Sequence, residues 1–271
     1  MTRTAAGLFA LALTLSAAAA RADSGYISPT DERVRLSLGV SLVSAATSLR
    51  VDSGAGIPGT FVSAENDLGL QRSQIDPKFQ VMLRAGERNR LRFDYFSLDR
   101  NATRVIAAPI AFRNVTLQSG DPVQTDLSLR ALGITYGYSF WRTEKLEIAG
   151  TLGINEIDIS ARAKVETPTR HINESEDQAG PFPTLGIDAT WVASRRFYFD
   201  GRAQYLKLAV NQLQGSLGIY ELDALYRFRP NVSFALGYSE VKARLNSTQA
   251  SQGGRFDFSA KGPQLFVRVA F

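Results

Sequence analysis

The sequence predicts an all-β fold, namely a closed antiparallel transmembrane β-barrel of about ten strands, with about 8–12 as the range. Three observations predict it. Apolar and polar residues alternate in about ten segments. After the first 22 residues, no apolar run approaches the roughly 18 residues of a membrane-spanning helix. Short polar turns also alternate with longer connections, as in barrels with short periplasmic turns and longer extracellular loops.

The strands are predicted from a period of two. In RVRLSLGVSL (33–42), Val34, Leu36 and Leu38 share one face, while Arg35 and Ser37 share the other. The same alternation recurs in FQVMLRA (79–85), LRFDY (91–95), LGITYGYSF (132–140), LEIAGTLGI (146–154), LGIDATW (185–191), FYFDGRAQY (197–205), IYELDALYRF (219–228), VSFALGY (232–238) and LFVRVAF (265–271). A soluble sandwich or a lipocalin-like barrel would also alternate, and it is the alternative fold.

The connections between these segments fall into two classes. Short polar turns are predicted at GERN (86–89), RTEK (142–145), SRR (194–196) and RPN (229–231). Long connections are predicted at 51–76, 105–123, 165–181 and 247–255, with one short member near 211–215. This asymmetry predicts that the short turns lie in the periplasm and the long loops outside the cell.

The N-terminal segment is interpreted as a cleavable secretory signal over residues 1–22. It has Arg3 near its start, then an apolar run, then the small-residue pattern that ends at Ala22. Residues 23–32 are interpreted as a short periplasmic leader, and residues 33–271 as the barrel domain. A buried or membrane-spanning helix is the alternative interpretation of the first segment.

Composition excludes several functions. The chain has no cysteine, so thiol redox chemistry, disulfides and thiolate metal sites are excluded. It has 31 Lys+Arg against 26 Asp+Glu, and removal of Arg3 and Arg21 with the signal leaves 29 against 26, or +3. Because no basic run stands out, we expect no nucleic-acid partner. No motif points to a cofactor, a metal site or a catalytic site.

The last segment points to a family. Leu265, Val267, Val269 and Phe271 share one face, and the segment ends on an aromatic residue. Together with the signal, the even strand number and the loop asymmetry, this resembles Gram-negative outer-membrane β-barrel proteins, including the small OmpA-type and porin-like barrels. The resemblance implies a monomer in the bacterial outer membrane, in contact with lipid and lipopolysaccharide. It also implies that these four residues form a signal for the barrel-assembly machinery.

Aromatic residues cluster beside the short turns and at the end of the chain. We interpret them as a girdle at the membrane interface. The alternative is the ordinary preference of aromatic residues for strands. The girdle residues are Tyr138, Phe140, Trp141, Phe197, Phe199, Phe228 and Phe271.

The polar face predicts a charged lumen. If the apolar positions face lipid, the charges between them point inward, since a lysine or arginine on the lipid side would cost about 2–4 kcal/mol at the midplane. Opposite charges would then pair and fill a narrow barrel, with Arg202 paired to carboxylates on the adjacent segments, namely Asp188, Glu221 and Asp223. A small water-filled channel is the alternative. The candidate lumen residues are Arg92, Asp94, Glu147, Asp188, Asp200, Arg202, Glu221, Asp223, Arg227 and Arg268.

Two predicted loops contain side chains that could act as a general base or bind a cation. His171, the single histidine, lies in the polar stretch TPTRHINESEDQAG, predicted to be a loop, and is expected to be a solvated side chain rather than a general base. Glu65 and Asp67 match no calcium-loop spacing, and their loop is expected to fold over the barrel mouth with Phe61 and Leu68 packed.

The sequence thus favours a non-enzymatic structural or surface-interaction role. A narrow pore and a surface hydrolase are the alternatives.

Overall fold

Strands make up most of the described part of the chain. The computed structural model describes residues 26–52, 58–112, 115–167, 170–210, 213–248 and 253–271. These residues contain no helix that is long and apolar enough to cross a membrane. The strands are β1 (Val34–Val51), β2 (Val62–Ser63), β3 (Ser73–Ala85), β4 (Asn89–Val105), β5 (Ile110–Phe112), β6 (Val115–Leu117), β7 (Pro122–Arg142), β8 (Leu146–Thr167), β9 (Arg170–Val192), β10 (Phe197–Val210), β11 (Leu213–Arg229), β12 (Val232–Ser247) and β13 (Gly254–Ala270).

Ten of these strands close into an antiparallel barrel, so the predicted fold class is confirmed. The order around the wall is β1, β3, β4 and then β7 to β13, each strand paired with the next. β13 closes the ring against β1, with Leu36 opposite Val269, and closure leaves no free sheet edge in the part of the wall near the short turns. Outside this ring, β2 pairs with the C-terminal end of β1, and β5 and β6 form a separate two-stranded sheet.

All ten segments with period-two alternation lie in barrel strands, and the four predicted short turns join consecutive strands at one end of the barrel. The chain end and residues 26–33 lie at this same end, since the Val34 and Arg33 amides both donate to the Phe271 carbonyl. We refer to it as the short-turn end, and to the opposite end as the long-loop end. The short-turn end is taken as the bottom of the barrel, so that upper and above mean nearer the long-loop end.

One predicted loop is wrong. Residues 165–181 belong mostly to β8 and β9, which stay paired up to Thr167 opposite Arg170. At 22 and 23 residues, these strands far exceed the roughly 9–11 that cross a membrane. The outer part of β9, RHINESEDQAGP (170–181), carries no apolar alternation, which is the signal that identified the other strands. His171 therefore lies in a strand, opposite Glu166.

The apolar face of the wall changes side along the strands. In β7, Leu132 and Ile134 point outward and are about half exposed, whereas Leu127 and Leu129 point inward and are buried. In the part of the wall near the short turns, apolar residues thus face out, as lipid requires. Nearer the long-loop end they face in, as in a soluble barrel. The sequence interpretation, which placed apolar residues outside along the whole length, is wrong for this upper part.

The aromatic residues beside the short turns point outward. Phe140, Trp141 and Phe228 are each more than half exposed, and the Phe199 ring stacks on Trp191 with 5.4 Å between ring centroids. Their position at the lower edge of the apolar band is the one expected of an interfacial girdle.

Candidate functional site: the barrel interior

The residues just before β1 cover the short-turn end of the barrel. The Glu32 carboxylate lies 2.7 Å from Arg35 Nε and 3.1 Å from Arg227 Nη2, inside the barrel opening. Burial raises the pKa of the Glu32 carboxyl above its ordinary value, against the opposing effect of the guanidinium groups of Arg35, Arg268 and Arg227. Arg142 Nε donates to the Thr30 carbonyl over 3.1 Å. The segment is thus a floor held by arginines from the wall.

Immediately above the floor, Glu147 is fully buried and held by two arginines. Arg84 donates to both of its carboxylate oxygens, over 2.7 and 2.8 Å. Ser139 Oγ donates to the same carboxylate, and Arg90 lies 3.5 Å away. A two-point guanidinium–carboxylate pair fixes both side chains in one orientation.

The next layer is centred on Asp200. Arg268 donates to its carboxylate, the Thr190 hydroxyl donates to it over 2.8 Å, and Arg35 lies 3.9 Å away. This layer joins β13 and β1 to β10 across the interior, so it connects the floor with the charges above it.

A cluster of three cations and three carboxylates, the central cluster, spans the middle of the barrel. It consists of Lys78, Arg92, Asp94, Asp188, Arg202 and Glu221. Arg202 Nη1 lies 3.2 Å from Asp94 and 3.4 Å from Glu221, and Lys78 Nζ lies 3.1 Å from Glu221. Arg92 binds Asp94 over 3.0 Å and also binds Asp188.

Arg202 pairs with two of the carboxylates that the sequence predicted on adjacent strands, and also with one that it did not predict. Glu221 lies 3.4 Å and Asp188 3.9 Å from its guanidinium group, and Asp188 is bound by Arg92 as well. The nearest carboxylate to Arg202 is that of Asp94, on a distant strand across the interior. Register along one sheet identifies neighbours on adjacent strands, whereas closure of the barrel brings strands from opposite walls together.

The structure places all ten candidate lumen residues on the inner face of the wall. Asp223 accepts a hydrogen bond from Gln264, and the other nine each take part in at least one ion pair. Sequence reasoning did not assign Lys78, Arg84 or Glu32 to the lumen, and it placed Arg35 on the polar face without including it in the charge network. The signal for Lys78 and Arg84 was present, because both alternate with the outward Phe79, Val81 and Leu83; Glu32 precedes the first strand and carries no such signal.

A cavity of about 120 Å³ lies above the central cluster. Its floor includes Lys78, Arg202 and Glu221, and its upper wall is the inward apolar surface of the upper barrel. That wall includes Val43, Leu129, Ile157, Leu217, Ala243 and Phe258.

The loop between β2 and β3 enters the barrel mouth. Leu68 and Leu70 are buried there, and Glu65 accepts hydrogen bonds from the Thr47 amide, over 2.9 Å, and from Arg100. Phe61, expected to pack, is instead about half exposed with the Arg50 guanidinium 5.0 Å above its ring. Its strand neighbour Val62 takes the buried position.

The remaining candidates lie outside the barrel interior. The Asp67 carboxylate accepts from the Ser63 amide over 2.7 Å, and within the described ranges no three His, Asp or Glu side chains converge as metal ligands do. The His171 side chain is exposed. Of the candidate assembly residues, Leu265 and Val267 point outward from β13, and Val269 and Phe271 are half-buried on the same face.

Fold and interior together define a ten-stranded β-barrel of the outer-membrane type with charged side chains packed across its lumen. The chain is similar in fold to the outer membrane protease OmpT from Escherichia coli, with a TM-score of 0.56 and 10% identity over 91% of this chain and 99% of that one. It is more distantly similar to the translocator domain of the autotransporter NalP from Neisseria meningitidis, with a TM-score of 0.49 and 12% identity over 99% of this chain and 97% of that one. At these identities the likeness concerns the fold. No protein-family model matches the sequence, and no curated protein does.

Proposed function

We propose that this chain is an outer-membrane barrel without an open channel, and that its role is non-enzymatic and is carried by the part of the wall that stands outside the membrane. The observation that carries the proposal is the stack of buried ion pairs across the lower half of the lumen. Arg84 with Glu147, Arg268 with Asp200, and Arg202 with Asp94 and Glu221 occupy successive levels.

The network suits a plug rather than a water-filled pore. In a hydrated channel each charge would be solvated separately, whereas here Arg84 and Glu147 are both at most 1% exposed and satisfy each other. Burying a charge is costly unless the charge is paired and hydrogen-bonded. The floor formed around Glu32 adds a further obstruction at the short-turn end.

The upper wall suits a surface role. In β8 the outward face changes from Leu152 and Ile154 to Glu156 and Asp158, while Ile157 is buried inside. A packed apolar core with a polar exterior makes this part a rigid projection beyond the lipid, available for structural or surface interactions.

Lipopolysaccharide is the partner that we propose for the rim of the apolar band. Arg130, Lys207 and Lys261 point outward and are exposed, each two residues above an outward apolar or aromatic position or a proline. Cations at the upper border of the apolar band lie at the level where they can bind the phosphate groups of an anionic lipid. The barrel-assembly machinery is proposed as the partner during insertion, and the assembled barrel as a monomer.

Planar-bilayer recordings test the plug. The wild-type barrel should show no steady ohmic conductance. A charge-balanced variant, R84A/E147A/R202A/E221A, should conduct, while the matched outward variant K164A/E166A, which removes an exposed pair 2.7 Å apart, should stay silent. Steady conductance of the wild-type protein would overturn the proposal.

A further inference from the structure

The cavity above the central cluster contains one buried carboxylate without a cation. Asp76 is 4% exposed and lines this cavity. Its Oδ1 atom accepts from Gln74 Nε2 over 2.6 Å, whereas its Oδ2 atom is buried and has no hydrogen-bond partner. A buried carboxylate oxygen that lacks a donor is costly and needs a specific reason.

Two of the cations that line this cavity, Lys78 and Arg202, are already paired, and the third, Lys261, is exposed on the outer face of β13. Lys78 donates to Glu221 and, over 2.8 Å, to Gln264. Arg202 is shared between Asp94 and Glu221. Within the described residues Asp76 has no ion pair, so the cavity contains a carboxyl group without a cationic partner beneath an apolar wall.

We propose that this cavity binds a small molecule with an apolar body and a single protonated amine, with the ammonium group bound by Asp76. The ammonium group supplies the hydrogen-bond donor and the positive charge that Oδ2 lacks. The apolar body packs against the inward Leu129, Ile157 and Phe258. At about 120 Å³ the cavity is smaller than an apolar cavity of about 150 Å³ that binds benzene, so the apolar body can be no larger than one aromatic ring.

The wall beside Asp76 provides an entrance. β3 and β4 are paired from Ala85 opposite Asn89 only as far as Phe79 opposite Tyr95. Above that point β3 continues along β1, and β4 continues along β7. The two strands are therefore not hydrogen-bonded to each other beside Asp76, and Pro77, which cannot donate to a neighbour, lies on this local edge.

This seam reaches the outer surface of the wall. The outward Pro77, Phe79 and Tyr95 line the same cavity as the inward Asp76. Ile75, next to them on the outer face, is 68% exposed. An amphipathic amine that accumulates at the upper border of the apolar band thus has an apolar path to the carboxylate.

The test uses the whole protein in lipid nanodiscs and two probes of equal shape. Binding of 4-fluorobenzylamine and of neutral 4-fluorobenzyl alcohol is followed by ¹⁹F NMR, with empty nanodiscs as the reference for partitioning into lipid. Asp76→Asn keeps the size of the side chain and removes its charge. It should weaken amine binding by at least about tenfold, because a hydrogen bond to a charged group contributes about 1.5–3 kcal/mol, and should leave alcohol binding unchanged.

Two further variants separate the cavity from a general charge effect. Asp158→Asn removes an outward, exposed carboxylate on β8 and should change amine binding by less than about twofold. Ala131→Leu fills the cavity and should weaken binding of both probes. Heat-modifiable migration shows that each variant is folded. Equal amine binding by the wild type and Asp76→Asn, an equal loss in Asp158→Asn, or no binding of the amine to the folded wild type overturns the proposal.

Discussion

Arg84 and Glu147 form a two-point ion pair inside the barrel, with 2.7 Å between Nη1 and Oε1 and 2.8 Å between Nη2 and Oε2. The pair joins β3 to β8 across the lumen and is sealed from solvent. Such a pair stabilises little by its formation, because desolvation offsets the attraction, but loss of one partner leaves a buried charge.

Arg84→Met is therefore expected to lower the free energy of unfolding by about 3–5 kcal/mol. Arg84→Met with Glu147→Leu should recover most of this loss, since no buried charge is then left unpaired. Urea unfolding in lipid vesicles measures both. Lys164→Met is the matched control, because the Lys164–Glu166 pair is exposed, and it should cost under about 1 kcal/mol. Equal losses in the two single variants would contradict a sealed lumen.

A second prediction concerns the close approach of β9 and β10. A Cβ atom on Gly186 would lie 2.3 Å from the Ala203 carbonyl oxygen and 2.7 Å from Gln204 Cγ. The backbone must shift to admit it, so Gly186→Ala should cost about 1–3 kcal/mol. Gly150→Ala, where nothing lies within 4 Å, should stay within about 0.5 kcal/mol of the wild type. Equal urea midpoints for the two variants would show that the backbone around Gly186 shifts to admit a Cβ atom without a loss of stability.

The reversal of the apolar face predicts a labelling boundary on β8. Because the chain has no cysteine, a single introduced cysteine is a unique probe. On intact cells a membrane-impermeant maleimide should modify Glu156→Cys and Asp158→Cys but not Leu152→Cys or Ile154→Cys. Ile157→Cys, which points into the core, should stay unmodified as the control. Labelling of Leu152→Cys would place this level of the wall outside the lipid.

The role of Phe271 in assembly stays a prediction. Its contacts with Val34, 2.9 and 3.0 Å long, are backbone hydrogen bonds, and Phe271→Ser retains them. We therefore expect this variant to unfold within about 1 kcal/mol of the wild type after refolding in vitro, yet to be several-fold less abundant in isolated outer membranes. Leu236→Ser, which also removes an outward apolar side chain, is the control and should assemble normally. Equal abundance of Phe271→Ser and wild type would refute an assembly signal at this residue.

Local pattern determined the fold class and the inner face of the wall. Period-two alternation needs only the pleat of each strand, so the sequence alone assigned all ten barrel strands and placed residues such as Arg202 and Asp94 inside. Four short polar turns likewise set the neighbours of most strands, because a tight turn can join only adjacent antiparallel strands.

Only the tertiary structure decided which charges pair and where the lipid ends. Register predicted the pairs of Arg202 with Asp188 and Glu221 on adjacent strands, but not its pair with Asp94, because closure brings opposite walls within side-chain reach and no local pattern encodes this. The outer part of β9 was predicted as a loop because residues 170–181 carry no apolar alternation, which a strand beyond the lipid does not need on its outer face. The separation of β3 and β4 beside Asp76 is likewise a property of the closed wall as a whole.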